Sequence, residues 1–287
     1  MLPLTEWPRQ AREQIIGVFT DIDDTLTTDG AITPDALQAL HDLKAAGLHV
    51  IAITGRPVGW SEPFAREWPV DAIVAENGSV ALFADQNLRE IGTLCPPLLR
   101  RVLSKSYQAD TATRERNYAH LQRVLARIEQ EVQGAKRSTD SAGRETDIAI
   151  DHSEFTHLAP EQITQVVRIM QSEGLQATVS SIHINCWIGA HNKLQGAYWI
   201  VRELFDRDLA LEMNRWAYVG DSTNDQLMFE AFDNSIGVAN IARFLPELQA
   251  LPRFLASLNR GAGFAEIAAL LSKSSLASGN DKRNFRL

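Results

Sequence analysis

Short, wholly apolar runs alternate along the chain with stretches of helical spacing. IIGVF (residues 15–19) stops at the polar turn TDIDDTLTTDG, as a strand covered on both faces does. Thr33 then stands as a helix N-cap with Pro34 at the first helical position; Leu37, Leu40 and Leu43 keep helical spacing, and Gly47 closes the segment. LHVIAI (48–53) predicts the next strand and ends in TGRP, and DAIVAENG (71–78) predicts a third. Strand, helix and strand in this order predict βαβ units and a parallel sheet.

From about residue 83 the texture changes. A charged helix is predicted over 113–132, with Leu121, Val124, Leu125 and Ile128 on one side and Gly134 beyond its end. A polar loop, KRSTDSAGRE, precedes an alternating strand, TDIAIDH (146–152). A helix over 160–173 turns Ile163, Val166, Val167 and Met170 inward, and ATVSSIHINCW (177–187) predicts one more strand. This is an α+β unit of about 100 residues, enough for its own core. The first texture then resumes: a helix over 193–205, a strand RWAYVGDS (215–222), a helix through Met228 and Phe229, and a short strand SIGVA. SKSSLASGNDKRNFRL has no apolar periodicity and predicts a mobile tail. The expected organisation is α/β, a Rossmann-like parallel-sheet core (1–83 and 187–271) with an inserted α+β domain (84–186) and a tail (272–287).

Composition narrows the functions. The 287 residues suit two domains, and 45% hydrophobic with 22% charged residues excludes a wholly disordered chain. With 28 basic against 36 acidic residues the net charge is −8, which repels phosphate backbones and sets nucleic acid aside as a partner. Cys95 and Cys186, the only cysteines, build neither a disulfide framework nor a zinc site, and a reducing cytoplasm is the expected home. Charges at Glu6, Arg9, Arg12 and Glu13 precede any apolar run, and no stretch approaches the ~20 apolar residues of a membrane span, so the expectation is a soluble, unexported protein with no membrane contact.

In open parallel sheets, ligands bind outside the carboxyl ends of the strands. The residues just past those ends are Asp21, Asp23 and Asp24; then Thr54, Gly55 and Arg56; then Asp221, Ser222, Asn224 and Asp225. Five carboxylates thus meet one arginine. Two carboxylates ~4 Å apart repel by about 4 kcal/mol at an effective dielectric near 20, so such a cluster calls for protonation or a bound cation, and oxygen-only ligands favour Mg²⁺. Singly, each residue has a plain structural explanation: an Asp after a strand commonly caps a helix or forms a turn, and Lys193 could be a surface lysine in a first helical turn.

Together, DIDDT (21–25), ITGR (53–56), Lys193 ahead of a helix and GDSTND (220–225) resemble, in order, the four motifs of the haloacid dehalogenase superfamily. The long insertion between the second and third motifs is similar to a C2-type cap of the branch that holds Cof-type sugar phosphatases and sucrose-phosphate phosphatase. The resemblance spans about residues 15–271. It implies a Mg²⁺-dependent phosphatase acting on a small phosphorylated metabolite, a sugar phosphate above all. Asp21 is then the nucleophile and Asp23 the acid/base; Asp21, the backbone carbonyl of Asp23, Asp221 and Asp225 hold Mg²⁺; Thr54, Gly55, Lys193 and Asn224 bind the phosphoryl group. Two departures stand out: Lys193 is followed by Leu194 rather than the family's frequent glycine, and Asp24 stands where glycine is commoner, so the loop must accept a side chain there.

In the inserted unit, Arg144, Glu145, His183 and Asn185, together with Arg56 of the second motif, are candidates to meet a sugar's hydroxyls, although solvated polar groups explain the cap residues equally well. Trp60 is a sugar-stacking candidate, and His191 reads as structural. Two alternatives use the same fold: a hexose phosphomutase working through the same aspartyl-phosphate, and a non-catalytic sugar-phosphate sensor, against which the joint presence of Asp21 and Asp23 argues.

Overall fold

The computed structural model describes residues 1–85 and 102–283, so Cys95 lies outside the described residues. In chain order the main elements are β1 (Gly17–Thr20), α1 (Pro34–Ala45), β2 (His49–Ile53), α2 (Val58–Glu67) and β3 (Ala72–Ala75). They continue with β4 (Val80–Ala84), β5 (Leu103–Tyr107), α3 (Thr111–Glu131), β6 (Asp147–Asp151), α4 (Pro160–Ser172), β7 (Gln176–Val179) and β8 (His183–Trp187). The last are α5 (Lys193–Phe205), β9 (Trp216–Gly220), α6 (Gln226–Ala231), β10 (Asn234–Gly237) and α7 (Arg260–Arg283).

The chain divides into two compact units, one of Met1–Ile53, Glu67–Ile73 and Ala197–Leu287, the other of Thr54–Arg66 and Val74–Gly196. The expected insertion, 84–186, falls inside the second unit, which also takes in residues on either side of it and the segment following β2.

The first unit is built on parallel strands in the order Leu2–Pro3, Phe254–Leu255, β10, β9, β1, β2. β1, β2 and β9 are apolar on both faces because both faces are covered, and α1 packs against α7. Thr33 is the N-cap of α1 as expected, with Pro34 at its first position, and Ala36, Ala39, Leu40 and Leu43 are the buried residues. Gly47 closes the segment with φ of +81°. The predicted tail is helical as far as Arg283: α7, whose Phe264, Ile267, Ala268 and Leu271 are buried, simply continues. Serine, lysine, leucine and alanine extend an already nucleated helix without needing an apolar stripe.

In the second unit, β7, β8, β6 and the two-residue strand Lys136–Arg137 form an antiparallel sheet in that order. Its two faces differ by parity. Ile148, Ile150, Ile184 and Cys186 pack on Leu121, Val124, Leu125 and Ile128 of α3 and Val166 and Met170 of α4. Asp147, Ala149, Asp151, His183, Asn185 and Trp187 take the alternate positions. The single strand expected over 177–187 is two strands. Ser180 Oγ accepts hydrogen bonds from the amides of Ile182 and His183, and Ser180 N–H donates to the His183 carbonyl at 2.8 Å, which turns the chain back on itself. Helix α3 starts two residues earlier than predicted, where the Asp110 carboxylate caps Thr113 N–H at 2.9 Å.

Candidate active site

β1 and β9 are parallel neighbours with Thr20 in register with Val219, so Asp21 and Asp221 leave adjacent strands at the same level. Asp21 N–H continues the ladder to the Val219 carbonyl at 2.9 Å, which fixes the start of the acidic loop. Asp225 closes a 3₁₀ turn, Thr223–Asp225, and folds back: its Oδ2 accepts from Asp221 N–H (2.9 Å) and Ser222 N–H (3.1 Å), and its Oδ1 from the Tyr218 hydroxyl. Gly220 permits this approach, since a Cβ there would stand 2.5 Å from Asp225 Oδ2. The result is a buried group in which carboxylate oxygens of Asp21, Asp221 and Asp225 lie within 4.8 Å of one another. Asp23 is half-buried and outside that group, and Asn224 Oδ1 accepts from Ser222 Oγ at 2.8 Å.

Asp221 is fully buried. Burial, then the neighbouring Asp225 and Asp21, push its carboxyl far above the usual carboxylate range. Oδ2 accepts from Asn240 Nδ2 (2.9 Å) and Arg243 Nη2 (3.2 Å), whereas Oδ1 has no hydrogen-bond partner. A buried, unpartnered carboxylate oxygen beside two further carboxylates fits a bound cation, and a donor set made of hard oxygens fits Mg²⁺. Burial and Asp225 also raise the Tyr218 hydroxyl, which keeps it a proton donor to that carboxylate.

Asp24 takes the left-handed conformation, with φ of 56°, at the position where the resembled family commonly has glycine. Its carboxylate is paired: Arg243 Nη2 lies 2.6 Å from Oδ2 and Arg260 Nε 3.1 Å from Oδ1. The expectation of five carboxylates facing a single arginine therefore needs correction, because Arg243 and Arg260 offset Asp24 and Arg243 also reaches Asp221. Sequence reasoning missed Asn240 and Arg243 although a signal existed: they follow β10, parallel to β9, in the 3₁₀ helix Ala239–Phe244.

The remaining candidates belong to the second unit. Thr54 is buried; its N–H donates to the Val74 carbonyl, and its Oγ1 accepts from Arg56 N–H at 3.0 Å. A Cβ on Gly55 would stand 2.3 Å from Asn185 Nδ2, so the backbone there approaches the sheet closely. Asn185 is buried with Oδ1 unpartnered. Lys193 is only 3% exposed, which removes the surface-lysine reading.

Arg56 ion-pairs with Asp140 (3.1 Å) and Glu154 (2.8 Å), and Glu154 also meets His183 Nε2 at 2.9 Å. Burial raises the Glu154 carboxyl, but hydrogen bonds from His183 and Arg56 more than offset it and bring it to about 2. Arg144 donates to the Gly55 carbonyl and to both Asp147 oxygens, within 2.8–3.0 Å. Burial pushes Asp147 up to about 8 in spite of Arg144. Glu145 binds Lys105 and Tyr107. Trp60 packs on Phe64 and under the Arg56 guanidinium, and His191, lowered to about 4 by burial, lies against Trp187, as a structural histidine does. A cavity of about 420 Å³ is lined by Tyr118, Gln122, Arg137, Ser138, Arg144 and Asp147 among others, and of the expected site residues only Arg144 borders it.

The sequence matches the haloacid dehalogenase-like hydrolases over residues 18–250, and the chain belongs to that family of enzymes. A protein of Streptococcus pyogenes serotype M6 that bears the provisional name of phosphatase is 21% identical over 275 residues, covering 86% of this chain and 95% of its own. Among solved structures, a Thermoplasma acidophilum protein superposes with a TM-score of 0.65 at 16% identity, covering 90% of this chain and 98% of that one. The sucrose-phosphatase of Synechocystis sp. PCC6803, solved with sucrose and phosphate, gives a TM-score of 0.60 at 18% identity, again covering 90% and 98%. These likenesses are of fold: a Rossmann-like parallel-sheet core with an inserted α+β domain. No helix among the described residues is long and apolar enough to cross a membrane.

Proposed function

We propose that this hydrolase is a Mg²⁺-dependent phosphatase that releases inorganic phosphate from a small phosphorylated metabolite, a sugar phosphate by preference. The observation that carries the reading is the buried triad of Asp21, Asp221 and Asp225 with Asp221 Oδ1 lacking a partner, at the carboxyl end of adjacent parallel strands. Asp21, Asp221 and Asp225, with the carbonyl of Asp23, would hold the cation, which when bound neutralises charge on the phosphoryl group and on Asp21.

An Asp21 carboxylate oxygen forms a bond to phosphorus while the ester P–O bond breaks, and Asp23 gives its proton to the departing alkoxide. Water then attacks the aspartyl-phosphate, Asp23 takes its proton, and phosphate leaves with Asp21 restored. Thr54, Gly55, Lys193 and Asn224 bind and orient the phosphoryl oxygens. The likeness to the sucrose-phosphatase supports a sugar phosphate.

The test is phosphate release from a panel of phosphorylated sugars and other metabolites, with and without Mg²⁺. Release that depends on Mg²⁺ and is strongest with sugar phosphates is the expected result. Isomer formation without release, accelerated by a sugar bisphosphate, would make the protein a mutase instead. No turnover on any substrate, including p-nitrophenyl phosphate, would end the enzymatic reading.

A further inference from the structure

Asp221 divides its two oxygens between different tasks. Oδ2 accepts from groups of the protein itself, the Asn240 amide and the Arg243 guanidinium, and Oδ1 has no hydrogen-bond partner. The same Arg243 nitrogen holds Asp24, whose backbone carbonyl accepts from Asn240 Nδ2 at 3.0 Å. Arg243 is further fixed over the Phe244 ring, 4.7 Å from its centroid, and Arg260 supports Asp24 from the other oxygen.

We propose that Arg243 is a built-in counter-cation that sets the Mg²⁺ affinity of the acidic triad, with Asp24 as its regulator. Its charge compensates Asp221 when no metal is bound and opposes a divalent cation at Oδ1. Asp24 draws part of that charge away. The two side chains act in opposite directions on one carboxylate, while the neutral Asn240 amide alone suffices to orient it. This rests on the metal reading above and goes further, since it concerns residues outside the four family motifs as well as an aspartate at a position where glycine is commoner. Arg243 is a positioning residue: it acts on the metal through Asp221.

The experiment is a Mg²⁺ titration of the metal-free full-length protein without substrate, read by calorimetry and by the thermal midpoint. Arg243→Met, similar in length but uncharged, should bind Mg²⁺ about three- to tenfold more tightly and melt lower than wild type when metal-free. Asp24→Asn, which tolerates the left-handed backbone, should bind Mg²⁺ more weakly by a similar factor, because Arg243 then bears on Asp221 alone. Arg243→Lys, which keeps the charge but loses the planar group that reaches both carboxylates, should fall between wild type and Arg243→Met. A structural role would weaken binding in both Arg243→Met and Asp24→Asn, and that outcome overturns the proposal, as does unchanged affinity in Arg243→Met. Wild-type protein that binds no Mg²⁺ would instead overturn the metal reading itself, and this inference with it.

Discussion

Two regions bury charge in this protein, and they handle it in opposite ways. In the second unit, Arg56, Arg144 and His183 meet Asp140, Asp147 and Glu154 at 2.8–3.3 Å, and Asp151 accepts four backbone amides in succession. Each of those carboxylates has partners supplied by the fold. In the first unit, three buried carboxylates gather within 4.8 Å, and one oxygen of Asp221 is left without a donor. Buried charge with partners holds a structure together or fixes its register. A buried carboxylate oxygen without a donor raises the energy of the folded state and persists where a ligand relieves it. This contrast separates scaffold from chemistry more sharply than residue type does, because both regions combine Asp with Arg.

The largest effect expected is on turnover. Asp21→Asn should cut phosphate release by about a thousandfold or more with the fold intact, because the near-isosteric amide cannot act as an anionic nucleophile. Wild-type rates in a preparation free of deamidation would break the assignment of chemistry to the first unit.

Next in size is the scaffold charge. Arg144→Met takes the buried donor away from Asp147, Asp140 and the Gly55 carbonyl and should cost about 1–3 kcal/mol in denaturant unfolding, whereas Arg144→Met combined with Asp147→Leu should recover part of that loss. A single variant as stable as wild type would mean that the second unit's charges are as dispensable as surface ones.

Smaller and opposite in sign is Asp221→Asn. Its amide oxygen can keep the bonds to Asn240 and Arg243 while the NH₂ donates toward the triad, so the metal-free protein should gain about 1 kcal/mol. Mg²⁺ at a hundred times its Kd should stabilise wild type by about 2.7 kcal/mol, a few degrees or more in Tm, and the variant by less. Equal Mg²⁺ shifts in the two proteins would remove the metal from the triad.

The last effect is the pH dependence of Glu154. Its folded-state carboxyl is depressed, so its contribution to stability is complete above the ordinary range near 4.5 and is lost as pH falls toward 2. Unfolding of wild type and Glu154→Gln between pH 5 and 2.5 should converge as the acid limit is approached. Parallel curves would show that the Arg56–Glu154–His183 contact carries no linkage.

Local patterns reached far in this chain. The period-3.6 stripe of Leu121, Val124, Leu125 and Ile128 and the Thr33–Pro34 cap set helices that the structure contains, because such signals act over one or two turns and need nothing distant. The hairpin at Ser180 is not legible in the sequence because a serine side chain folding onto two amides leaves no break in the apolar pattern. The continuation of α7 is not legible for the converse reason: composition reports an apolar stripe, whereas extending an existing helix adds one backbone hydrogen bond per residue without one.

The acidic and basic residues themselves, and their position after strands, were determined by the sequence alone, and with them the family and the expectation of a cation. Which of the carboxylates are compensated was decided only in three dimensions. Arg243 lies 219 residues from Asp24 and 22 from Asp221, and no local rule links them. By its place beside a strand Arg144 is as available for a ligand as any polar residue, yet Gly55 and Asp147 claim its Nη1 and Asp140 its Nη2. Charge is additive along a sequence, but its energy depends on distance and on the loss of water, and both quantities come into existence only when the strands pair and the loops at their ends close.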